Sequence, residues 1–180
     1  ELAVAVDVKI SVLGIRSCSL LVGLIIVPFI AAACQSRMQS DQRIQSGGLG
    51  LSRTEWENLH GNAAGQDSGF VSYNDDRGRF VINFMNIAAG YIKRVYTDHA
   101  GIRLEEARNE VRTLIPDDAM LIRTYYVGAR PVDLYSSVSL KTVFPSDDYW
   151  VNGEPGQFIV LYFSDHDVVD SFVLGLGNNP

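Results

Sequence analysis

The sequence predicts an α+β fold built from two units, each a helix followed by an antiparallel meander, with the helices packed on one face of a sheet. Three observations carry this reading. Stretches opening at Ser52 and at Leu104 show helical apolar spacing, and each is followed by short apolar runs separated by turn residues. The run Arg79-Phe80-Val81-Ile82-Asn83-Phe84 also lines up with Gln157-Phe158-Ile159-Val160-Leu161-Tyr162. A helix and then antiparallel strands, used twice, is an α+β pattern.

Composition narrows the class. The chain has 180 residues, of which 47% are hydrophobic and 20% charged, which excludes a disordered chain, a collagen-like repeat and a long coiled coil. Its length suits one domain or two small halves. Fifteen basic residues against 21 acidic ones give a net charge of −6, so no positive field is present to hold nucleic acid. The two cysteines, Cys18 and Cys34, both lie near the N-terminus, which excludes a disulfide scaffold and a Cys-based zinc site. No cofactor is expected.

The N-terminal segment reads as an address. Lys9 and Arg16 precede residues 17–36, which carry no charge, and residues 20–30 (LLVGLIIVPFI) form a compact apolar run ending in Ala31-Ala32-Ala33-Cys34. A basic region, a short apolar region and small residues at its exit make residues 1–33 a signal peptide. The exit resembles a bacterial lipobox, although Ala31 stands where that pattern prefers Leu. The resemblance implies a lipidated Cys34 and attachment to a membrane through that lipid. Two other readings remain open: simple cleaved secretion, and an uncleaved anchor, since about 20 uncharged residues reach about 30 Å. Pro28 and Gly23 within the run weigh against the anchor.

Residues 34–50 read as a flexible tether. The stretch QSRMQSDQRIQS has no apolar period and closes on Gly47-Gly48. Gly47-Gly48-Leu49-Gly50 lacks both the preceding strand and the following Lys-Ser/Thr of a phosphate-binding loop.

The first unit spans residues 51–100. Ser52-Arg53-Thr54-Glu55 is a capping box, and Leu51 with Trp56 makes the matching hydrophobic staple. The helix is expected to carry Trp56 and Leu59 inward and to end at Gly61. Strands are expected over residues 70–73, 79–85 and 91–96, with Phe80, Ile82 and Phe84 on one face of the second.

The second, longer unit spans residues 101–180. Leu104, Ala107, Val111 and Leu114 recur at helical spacing, Arg108 and Arg112 fall on the wet side, and Pro116 ends the helix. Strands are expected over residues 121–127 and 132–135, then a short helix over 139–144. A hairpin of residues 158–163 and 168–174 follows, turning at Asp165-His166-Asp167. The unbroken apolarity of Phe158-Ile159-Val160-Leu161-Tyr162-Phe163 suggests a central strand covered on both faces.

A lipobox, a polar tether and then Gly-Leu-Ser-Arg-Thr-Glu-Trp-Glu-Asn-Leu-His-Gly over residues 50–61 resemble the SmpA/OmlA envelope lipoproteins and the related repeat of the β-lactamase inhibitor protein. The second half is similar to uncharacterised bacterial envelope proteins. The resemblance implies a non-catalytic role: assembly of envelope complexes, or binding of a protein partner whose identity it does not give.

The alternative is a small secreted or membrane-tethered hydrolase. Asp98-His99 and Asp165-His166-Asp167 each follow an apolar strand, and His/Asp pairs serve metal or acid–base chemistry where they converge in space. The same residues are ordinary hairpin-turn formers, so no metal site is assigned. His60 needs only the dipole at its helix end. No Gly-x-Ser-x-Gly elbow occurs, and no catalytic residue is assigned. The long segment 144–156 places Tyr149 and Trp150 among acids and turn residues, a composition suited to a partner-binding surface. The competing arrangement folds both rings back over the sheet.

Overall fold

The computed structural model describes residues 44–85, 87–97, 101–165 and 167–179. The signal segment, Cys34, Asp98, His99 and His166 lie outside the described residues. The elements in chain order are α1 (Arg53–His60), β1 (Gly65–Asp67), β2 (Phe70–Asp75), β3 (Gly78–Met85), β4 (Ala88–Tyr96), β5 (Ile102–Arg103) and α2 (Leu104–Leu114). Then come β6 (Met120–Val127), β7 (Arg130–Ser136), α3 (Val138–Val143), a 3-10 turn (Asp147–Tyr149), β8 (Gln157–Asp165) and β9 (Val168–Leu176). The architecture is α+β and dominated by an antiparallel sheet. Its order is β1-β2-β3-β4-β9-β8-β7-β6, with the short β5 paired to β9.

Alternation builds the sheet's inner face. Phe80 and Ile82 on β3, Ile92 and Tyr96 on β4, Phe172 and Leu174 on β9, and Phe158, Val160 and Tyr162 on β8 are buried in one cluster. Trp56 of α1 and Ala107, Val111 and Leu114 of α2 belong to the same cluster. The opposite face carries a smaller cluster of Val132, Leu134, Ile159 and Leu161, so β8 has apolar packing on both sides, as its unbroken apolarity suggests. Tyr125 and Phe163 pack at the rim of that cluster. The Tyr125 hydroxyl donates to Asn178 Oδ1 at 3.0 Å, tying down the chain after β9.

The two hairpins match closely. β4 (Ala88–Tyr96) and β9 (Val168–Leu176) have bounds 80 residues apart, and so do the ends of β3 and β8 at Met85 and Asp165. The pairing is irregular at Asn83/Phe84 in one hairpin and at Phe163/Ser164 in the other, again 80 apart. Phe80 therefore corresponds to Val160, two residues beyond its partner in the sequence alignment. A slip of two leaves every side chain on its own face, which is why the pattern alone could not detect it.

Local chemistry sets the helix ends. In α1 the Ser52 side chain accepts from Glu55 N, the Glu55 carboxylate accepts from Ser52 N at 2.9 Å, and Gly61 closes the helix at φ +86°. Trp56 is fully buried and stacks on His60 with ring centroids 4.1 Å apart. Leu59, expected inward, is 62% exposed: His60, four residues after Trp56, takes the place stacked on that ring, and an eight-residue helix buries only a narrow stripe.

The folded unit also starts earlier than the tether reading allows. Leu49 is fully buried, Leu49 N donates to Leu114 O at 2.7 Å, and Gly50 N donates to Ala89 O at 2.8 Å. Gly47 runs so close to the end of α2 that a Cβ there would collide with the Thr113 carbonyl oxygen. The glycines at 47–50 thus permit backbone contact and do not mark a linker end.

Candidate partner-binding site

The structure places Trp150 in the folded-back arrangement. Its side chain is 4% exposed and packs edge-on against Phe144 at 6.3 Å, while Tyr149 meets the same ring at 5.3 Å. The expectation of a solvent-facing indole is corrected. Residues 144–156 close one end of the core because Phe144, Tyr149 and Trp150 have more apolar area than a solvated loop keeps exposed.

The accessible apolar surface lies on β6. This strand is the terminal strand of the sheet beyond β7, and its solvent-facing edge is eight residues long. Met120 is 67% exposed, Leu121 54%, Tyr126 66% and Val127 43%. An edge of this length presents unpaired backbone N–H and C=O groups beside apolar side chains, which is a template for a further strand. A pairing irregularity between Leu121 and Arg123 divides it, leaving residues 123–127 as the regular part. Beside the first part lies an open groove of about 400 Å³ lined by Arg112, Ile115, Pro116, Asp117, Leu121 and Tyr135.

Buried charge fixes β6 and β7 to α2. Asp133 on β7 is 1% exposed and takes Arg108 Nε and Nη2 at 3.0 and 3.1 Å, the Thr124 hydroxyl at 2.6 Å and the Tyr162 hydroxyl at 3.2 Å. Burial, with the Asp133 charge added, pushes the Tyr162 phenol far up, so it stays a donor. The Asp133 hydrogen bond likewise raises Arg108. Arg108 is therefore not a solvated helix residue: it lies over the sheet because a buried carboxylate requires a cation.

A second cluster ties the other half to the same helix. Arg94 on β4 is 1% exposed, holds both Asp75 oxygens at 3.0 Å and lies 4.2 Å from the Phe80 ring centroid. Its Nε sits 3.0 Å from Glu110 Oε1, a charge contact off the line of a hydrogen bond. Glu110 also receives the Tyr96 hydroxyl at 3.0 Å and Arg77 Nη1 at 3.1 Å. Apart from Arg94 Nε, both clusters are satisfied internally, and both read as fasteners.

Of the residues singled out in the sequence, Asp165 ends β8 and Asp167 precedes β9, both exposed at the hairpin turn. His60 Nε2 lies 2.7 Å from Gly47 O, in reach of a structural hydrogen bond. Among the described residues no group of three or more His, Cys, Asp or Glu side chains is placed to hold a metal ion. Sequence reasoning identified β6 as a strand but missed it as a surface; its one signal was six apolar or aromatic residues among eight with a single charge, Arg123. No family model, curated protein or solved structure matches this chain.

Proposed function

We propose that this chain is a lipid-anchored extracytoplasmic protein of the bacterial cell envelope, acylated at Cys34, that binds or scaffolds a protein partner and performs no chemistry. The observation that carries the binding role is β6, an eight-residue sheet edge with large apolar side chains open to solvent. An extended partner segment adding to residues 123–127 would pair backbone to backbone, with Tyr126 and Val127 supplying contact area. We further read the domain as two helix-plus-meander units with both helices on one face, of the SmpA/OmlA-like kind. The matched hairpins and the larger core cluster, which holds side chains of both helices, support that reading.

The test has two arms. Cys34→Ala should lose all acyl label, and label retained by the variant would overturn the anchor. Tyr126→Lys with Val127→Lys should leave the thermal midpoint unchanged and reduce recovery of the partner from crosslinked envelopes. Equal recovery would remove β6 as the binding edge.

A further inference from the structure

The chain upstream joins the domain at a defined corner. Asp117 N donates to Gln45 O at 2.8 Å, and Ser46 bridges Pro116, so the polypeptide leading back toward Cys34 departs within a few residues of Met120. That corner is apolar on its outside. Met120 is 67% exposed, Leu121 54%, Ile122 48% and Val138 76%.

Two elements meet at this corner: Met120, Leu121 and Ile122 open β6, and Val138 opens α3. Met120 pairs with Ser136, two residues before Val138. Asp118, two residues before Met120, accepts from Ser139 N at 2.8 Å and from the Ser137 hydroxyl at 2.7 Å, bracketing Val138 from both sides. The corner's backbone is therefore pinned, and its exposed apolar groups do not belong to a fraying end.

Cys34 and Ile44 are ten residues apart, so the link spans at most about 35 Å when fully extended. We propose that this corner rests on the lipid surface to which the chain is anchored, with Met120, Leu121, Ile122 and Val138 entering the headgroup boundary. The inference rests on the acylation reading above. Its physical basis is additive: a lipid anchor confines the domain near the bilayer, and apolar groups beside the departure point then insert with little further loss of freedom. Arg112, Arg123 and Lys141 lie on the elements around the corner and can meet phosphate groups, opposed by the exposed carboxylates Asp117 and Asp118 at the same corner. β6 would then rise from the membrane, leaving Tyr126 and Val127 free for a partner.

The test uses the full chain, matured in cells and reconstituted into phosphatidylethanolamine–phosphatidylglycerol vesicles containing brominated lipid. Leu121→Cys and, as a control on a distant turn, Asp76→Cys carry an environment-sensitive fluorophore, and intact mass reports acylation. The expected result is an acylated protein with a blue-shifted, strongly quenched label at 121 and an unshifted, unquenched label at 76. Acylated protein with equal, unquenched emission at both positions overturns the docked corner and leaves the anchor standing. A mass without acyl chains overturns the anchor reading and this inference with it. As a second readout, Met120→Asp with Val138→Asp in the 121-labelled protein should abolish the quenching while circular dichroism stays unchanged. Quenching that survives the two aspartates would also overturn the proposal.

Discussion

Arg108 on α2 grips Asp133 on β7 with two parallel hydrogen bonds of 3.0 and 3.1 Å, and it does so 25 residues away along the chain. The guanidinium is a third exposed while the carboxylate is 2% exposed, so the cation reaches the anion from the solvent side. Arg108→Ala strands the carboxylate with only the Thr124 and Tyr162 hydroxyls. The expected loss is about 3 kcal/mol, at the low end for a broken buried pair because the guanidinium itself keeps contact with water. Arg108→Met with Asp133→Leu, Thr124→Val and Tyr162→Phe, which leaves no hydroxyl stranded, should recover most of that loss, measured by urea unfolding.

Two tryptophans should behave alike despite their different settings. Trp56→Ala and Trp150→Ala are each expected to cost about 3–5 kcal/mol, because both side chains are 4% exposed or less and neither void can collapse readily. Ser52→Ala should cost about 1 kcal/mol through the lost cap. A thermal midpoint unmoved by Trp150→Ala would place that ring outside the core.

Stability should fall on the acid side through Asp118 and Asp75. Burial pushes the Asp118 carboxyl up, but hydrogen bonds from Ser139, Ser137 and the Val138 backbone outweigh it and hold the group below its ordinary range. Asp75 is likewise held down, with Arg94 overcoming the effect of burial. Each folded carboxyl then gives up its proton more readily than the unfolded one. The stabilisation is complete above the unfolded value of about 3.9 and is lost as pH falls through the lower folded value. Asp118→Asn should flatten that acid limb in unfolding curves taken from neutral pH downward.

Gly47→Ala should destabilise the domain far more than its surface position suggests, since the added methyl meets the Thr113 carbonyl and not a movable side chain. Gly61→Ala, which needs a positive φ but meets nothing within 4 Å, is expected to cost about 1–3 kcal/mol through backbone strain alone. Paired thermal melts separate a collision from a conformational penalty.

Local chemistry was legible in the sequence where one residue's neighbours decide its fate. The Ser52–Glu55 box, the alternation through Phe80 and Ile82, and the double-sided burial of Phe158–Tyr162 all followed from spacing. β1, reading Gly-Gln-Asp, has no apolar residue and exists only because β2 offers it an edge. Asp133 sits in an extended run with no sign that a carboxylate there is buried, since Arg108 and Tyr162 reach it only through the fold. The β6 surface was hidden for the same reason. Strand order is a long-range property, and Met120–Val127 becomes an edge only when β7 turns its other side to β8.

The placement of β9 bears on when the protein can fold. β9, the last of the described strands in chain order, occupies the middle of the sheet, paired on one side to β4 and on the other to β8. Until those residues arrive, β4 and β8 both present raw edges, and the two meanders have no contact through the sheet. Synthesis order and assembly order are therefore opposed: residues 168–176 must be made before the sheet's centre can close. Removing residues 168–176 would divide one sheet into two open halves.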